Sequence, residues 1–270
     1  MDDSIYRLIS VEGIESSDFT LNSTNNALQD GSFIYSKKVE QRYITFQAEF
    51  IGDGYPEARR NLITFFNPKF NGLLIIDYAG TKRAIEYEVS SVSIPLPNVH
   101  RNPIVTIELV CADPYLKEVV EEKVDIASWS GGFMFPLIIP QDIGIVMGLR
   151  NPSVIANVYN KGDVTTGMIV KFRALGELTN PSIFNVNTRD FFKINHTMQA
   201  GEVITLNTNS GNKRVIGELN NVETNLFNEI DIDSTFMQLE LGDNLFRYDA
   251  DTNLGNLEIS IYYNPRYLGV

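Results

Sequence analysis

The sequence predicts a mostly β chain of two domains, an N-terminal α+β domain followed by a C-terminal β-sandwich. Three observations predict it. The 270 residues exceed the usual span of one domain. The first half alternates apolar and polar side chains in several runs and carries one helical stretch. The second half consists of short apolar runs about every ten residues with turn residues between them, the spacing of a sandwich.

From Tyr43 to Ile51 the run YITFQAEFI has period two and reads as a strand with one wet face. Gly52-Asp53-Gly54 breaks it, and Pro56 with Glu57 opens a short helix, since both residues are favoured in a first turn. Leu62, Ile63, Phe65 and Phe66 give that helix an apolar side, and Asn67-Pro68 ends it. GLLIIDYAG and KRAIEYEVSSVSI follow as a hairpin about Gly80-Thr81. A proline-bracketed loop, LPNVHRNP, leads into the β-branched strand IVTIELVCAD. The acidic stretch KEVVEEKVDIASWSGG has no clean period and reads as an exposed connection. The domains are therefore placed at 1–128 and 133–270, with a linker at 129–132. Beyond Phe133, runs such as GMIVKFRA, EVITLNT and NLEISIYYN are punctuated by Asn-Lys-Gly-Asp, Ser-Gly-Asn and Leu-Gly-Asp turns.

Hydrophobic residues make up 43% and charged residues 21%, which places the chain among globular rather than disordered proteins. The net charge of −12 argues against nucleic acid and anionic membranes, which are bound through Lys and Arg clusters. The apolar stretch FMFPLIIPQDIGIVMGL is interrupted by two prolines and Asp142, too soon to span a bilayer. The start, MDDSIYRLISVEG, has acids where a secretory signal has bases, so synthesis in a cytoplasm is expected. Cys111 is a lone cysteine in an apolar run and reads as a small buried hydrophobe.

Chemistry-bearing patterns are near misses. His100 and His196 have no second histidine or cysteine pair in metal-ligand spacing, and read as satisfied loop residues. Gly52-Asp53-Gly54 lacks the third glycine of a dinucleotide loop, and its acids repel a pyrophosphate. Asp231-Ile-Asp233 opens like a calcium loop, but Phe236 stands where the sharp turn needs glycine. Glu121 and Glu122 read as a solvated pair. Tyr159, Phe191, Phe192, Tyr248, Tyr262 and Tyr263 are candidates to line a sugar-binding face or to fill the core. No catalytic residue, metal site or cofactor is expected, and the chain reads as a structural or binding protein rather than an enzyme.

The segment from Gly52 to Val89, with Phe66-Asn67-Pro68-Lys69 and Gly72 at its centre, followed by IELVCADPYL, resembles the N-terminal domain of the distal tail (Dit) family of long flexible-tailed (siphovirus) bacteriophages or prophages. The second half, from NPSVIANVYNKGDVTTGMIVKFRALGELTNPSIFNV through NLFNEIDIDSTFMQLELGDNLFRYDA to ISIYYNPRYLGV, resembles that family's galectin-like sandwich. The resemblance implies a homohexameric ring at the virion tail tip, made by the N-terminal domains with the sandwiches outward. Its partners are the tail tube protein on one side, and the tail-tip hub or tail-associated lysin and receptor-binding proteins on the other. DNA passes through without specific binding, which an acidic lumen favours. It also implies an arm near 28–42 that reaches the neighbouring subunit. The second half is too compact for the carbohydrate-binding insertions of some members, so a scaffold role is expected. The alternative is a carbohydrate-binding module that attaches a tail or enzyme to the bacterial surface.

Overall fold

The computed structural model describes residues 5–25, 30–96, 102–126, 129–131, 148–150 and 155–270. They form two compact units, one of residues 1–119 with 266–270, the other of residues 120–265. The chain is mostly β.

Unit 1 begins with strands β1 (Tyr6–Glu12), β2 (Phe19–Asn25), β3 (Ser32–Val39) and β4 (Arg42–Phe50), then helix α1 (Tyr55–Phe65). Strands β5 (Gly72–Tyr78), β6 (Thr81–Ser93), β7 (Ile104–Cys111) and β8 (Leu116–Glu118) follow. The main sheet runs β1-β4-β7-β6-β8 with antiparallel neighbours, and β5 pairs β6. The first half of β6 pairs β5 from Thr81 to Tyr87, and its second half pairs β7 from Glu88 to Ser93. A register shift between Val89 and Ser91 bends the half of β6 that pairs β7. The inward row of β7, Val105, Ile107, Leu109 and Cys111, is buried.

Helix α1 starts at Gly54, whose left-handed φ of 81° suits a residue without a β-carbon. Pro56 and Glu57 occupy the first turn. The helix buries Tyr55 and Leu62, and Phe66 follows them into the core one turn on. Ile63 and Phe65, expected on the same apolar side, stay exposed, while Leu62 and Phe66, one i,i+4 pair, are buried.

Unit 1 is organised around Arg42, which is 2% exposed. Its Nε donates to the Pro114 carbonyl at 2.8 Å. Nη1 donates to the carbonyls of Gly13 at 2.9 Å and Ile14 at 3.2 Å. Nη2 donates to Ser17 Oγ and to the Leu268 carbonyl, both at 2.6 Å. A guanidinium has five N–H donors, and each has an acceptor here. Burial pushes its pKa below the ordinary arginine value, countered by Cys111, Glu15 and Asp18; the group remains protonated.

Unit 2 continues with β9 (Glu122–Asp125), β10 (Trp129–Gly131), β11 (Gly148–Arg150), β12 (Ile155–Asn160) and β13 (Met168–Ala174). Then come β14 (Leu178–Thr179), β15 (Ser182–Asn185), β16 (Phe191–Lys193), β17 (Thr197–Met198) and β18 (Val203–Asn207). It ends with β19 (Arg214–Leu219), β20 (Val222–Asn225), a 3-10 turn (Phe227–Glu229), β21 (Gly242–Asp249) and β22 (Leu257–Tyr263). A four-stranded sheet, β12-β21-β15-β16, and a six-stranded sheet, β20-β19-β18-β13-β22-β9, enclose one core. Met168, Val170 and Phe172 of β13 face Ile259 and Ile261 of β22 along that core, while Lys171 and Arg173 point outward. The acidic stretch around Glu122, expected as a connection, instead supplies β9. Only Val124 and Ile126 turn inward there, too few to make a period. After Pro265 the chain returns to unit 1 as β23 (Arg266–Tyr267), antiparallel to β8.

Arg42→Met leaves four carbonyls and a hydroxyl without their buried donor, and is expected to destabilise unit 1 by about 3–5 kcal/mol. Arg42→Lys recovers little, because an ammonium offers three donors from one point. Calorimetry that resolves the two units should show the loss in one transition only.

Candidate interaction surface

Strands β2 and β3 form a two-stranded hairpin that pairs with no other described strand. The segment near 28–42, expected as an arm, contains β3, which pairs β2 from Phe19 onward. Phe19, Leu21 and Ile34 share one face by register, since Ile34 opposes Ser23 two positions on from Leu21. A register shift between Asn22 and Ser23 puts Tyr35 out of the pairing. All four are exposed, and Phe33 is the most exposed of the hairpin's apolar residues at 69%. A lone two-stranded hairpin is marginally stable in water. An apolar one of this length has the character of a surface made to be covered.

The same unit leaves a second apolar surface open. Phe65 of α1 is 72% exposed, Phe70 just before β5 is exposed, and so are Leu73 and Ile75 on the outward face of β5. Between α1 and the start of β1 lies a groove of about 300 Å³, lined by Ile5, Tyr6, Ala58, Leu62 and Phe65. The buried Tyr6 hydroxyl beside it has no hydrogen-bond partner among the described residues, and burial raises its pKa.

The residues singled out for chemistry have structural work. The Cys111 thiol is fully buried and burial pushes its pKa up to about 11, which makes it inert at neutral pH. His196 lies between two carboxylates, its Nδ1 2.6 Å from Glu229 and its Nε2 2.9 Å from Glu202. Glu202 is 6% exposed and also accepts from the Gln199 amide at 2.9 Å, so His196 holds the 3-10 turn against the loop before β18. The Asp231 carboxylate accepts from the Asp233 amide at 3.1 Å and caps its own turn, while Phe236 packs against Phe192. Glu122 accepts from Lys161 and from the Tyr263 hydroxyl at 2.6 and 2.9 Å, which keeps its carboxyl below the ordinary pKa. Of the aromatic candidates, Phe192, Tyr248 and Tyr263 belong to the core; Tyr159 is exposed, and Phe191 and Tyr262 are partly so. His100 lies outside the described residues. Among the described residues no cluster of three or more His, Cys, Asp or Glu is placed to hold a metal, and no helix is long and apolar enough to cross a membrane.

Sequence reasoning missed the hairpin's first strand and the groove beside α1. Phe19 and Leu21 alternate with Thr20 and Asn22, a signal for a strand, though not for one left uncovered.

Residues 161–267 match the family model described as the siphovirus-type tail component, C-terminal domain. The crystal structure of the Dit protein of phage SPP1, described as a paradigm of the hub adsorption apparatus in phages infecting Gram-positive bacteria, is similar in fold. Its TM-score is 0.69 at 14% identity, over 98% of this chain and 94% of that one. A chain of the phage P2 baseplate in its activated conformation with Ca matches with a TM-score of 0.55 at 12% identity, over 98% and 92%. The corresponding p2 baseplate with Sr gives 0.52. At these identities the likeness is one of fold. No curated protein matches the chain in sequence.

His196→Ala leaves the buried Glu202 carboxylate with one donor fewer and is expected to cost unit 2 about 1–3 kcal/mol. Adding Glu202→Gln to that variant should restore part of the loss, measured as the urea midpoint of the second unit.

Proposed function

We propose, from the match of residues 161–267 to the siphovirus-type tail component model, that this chain is a distal tail (Dit) protein and the hub subunit of a phage tail tip. In this reading it forms a homohexameric ring that joins the tail tube to the tail-tip and host-recognition proteins. The family match over residues 161–267 carries the tail assignment. The observation that supports a ring is the pair of open apolar surfaces on unit 1, the β2–β3 hairpin and the α1–β5 side. Two different surfaces on one copy suit a head-to-tail contact, and head-to-tail contacts form a ring when their rotation closes. Unit 1 is then the ring-forming domain, and the hairpin is the arm that orders against the neighbouring copy. Partners along the axis are the tail tube protein and the tail-tip hub or tail-associated lysin, with receptor-binding protein at the periphery. A net charge of −12 per copy favours a passage that DNA traverses without binding. The virion tail tip is its place, after synthesis in the cytoplasm of the bacterial host. Galectin-like architecture of unit 2 belongs to the same reading.

Phe33→Asp with Tyr35→Asp changes only exposed side chains, so the stability of the single chain should stay within about 0.5 kcal/mol while native mass spectrometry loses the six-copy species. A chain lacking residues 30 to 38 that still gives a stable ring would contradict the arm's role.

A further inference from the structure

Unit 1 is completed by residues that lie beyond unit 2 in the sequence. Four anchors hold them. Strand β23 supplies the second neighbour of β8, whose other edge is bonded to β6. The Leu268 carbonyl takes one of the five donors of Arg42. Arg266 pairs with Asp113 at 3.0 Å, and Asp113 also meets Lys117 at 2.9 Å. Tyr267 is 7% exposed, and its hydroxyl donates to Glu118 at 2.9 Å.

A fifth observation concerns Arg83. Among the described residues, its buried Nε and Nη1 have no hydrogen-bond partner. Its guanidinium carbon sits 3.2 Å from the centre of the Tyr267 ring, so the aromatic face lies against the half-buried cation. Before Tyr267 arrives, a cation and an unfinished strand edge stand open in unit 1, and one donor of Arg42 has no acceptor. Gly269 fits only because it lacks a β-carbon, which would collide with the Glu15 carbonyl. Glu15 lies in the same loop that Arg42 binds through Gly13, Ile14 and Ser17.

We infer that residues 266–270 are the closing element of unit 1, so that unit 1 reaches its final structure only after all of unit 2 has been synthesised. Chains interrupted before Arg266 lack the element and present a loosened β4–β8 region. Where unit 1 makes the ring, as proposed above, closure withholds incomplete chains from assembly. Closure itself is a property of the single chain and is read without assembly.

Hydrogen exchange on the full chain tests it with Tyr267→Ala and Tyr267→Phe. Tyr267→Ala should raise exchange of β4, β8 and residues 13–17 at least tenfold while β13 and β18 exchange at the original rate. Tyr267→Phe, which keeps the ring under Arg83, should give the same pattern with a smaller increase. Unchanged protection of β4 and residues 13–17, or equal loosening of β13 and β18, would overturn the inference. If the alanine variant does not fold, the phenylalanine variant decides it by the same two outcomes. Loss of rings with closure intact would count against the proposed function alone.

Discussion

The five hydrogen bonds of Arg42 are the constraint on which unit 1 depends. A buried cation normally calls for a carboxylate, yet here four carbonyls and a hydroxyl surround it. Carbonyl dipoles satisfy the donors without burying a second charge. The cost is geometric, since the acceptors come from residues 13 to 17, 114 and 268, and all must be present together. A single side chain at the start of β4 thus fixes the entry loop, the β7–β8 turn and the returning segment. The φ of +87° at Gly13 belongs to this arrangement, because a β-carbon there would strike the Tyr43 carbonyl.

The two units solve stability differently. Unit 2 buries alternate residues of two sheets in one core, though Ile232 and Val222 stay exposed outside it. Unit 1 has a smaller core and shows Phe33, Phe65 and Phe70 to solvent. The family model that residues 161–267 match is described as a siphovirus-type tail component.

Much of the fold was legible in the sequence because local rules and burial agree. The period of YITFQAEF, the Pro56-Glu57 helix start, the turn at Gly80 and the ten-residue spacing of the second half all lead to observed elements. The stretch around Glu122 escaped because an edge strand with two inward residues has no readable period. Arg42 escaped for another reason. A charged residue at a strand start reads as surface, and its burial is decided by carbonyls up to 226 residues away. The return of residues 266–270 to unit 1 is likewise a tertiary event, since Arg266-Tyr267 is too short to signal its partner. Of the surface itself, the apolar residues were visible but their exposure was not, as the fate of Leu62 against Phe65 shows.

The ring claim is tested most directly by electron micrographs of the purified chain mixed with its tail tube protein. The account predicts six-fold rings. Monodisperse single chains under those conditions would contradict it.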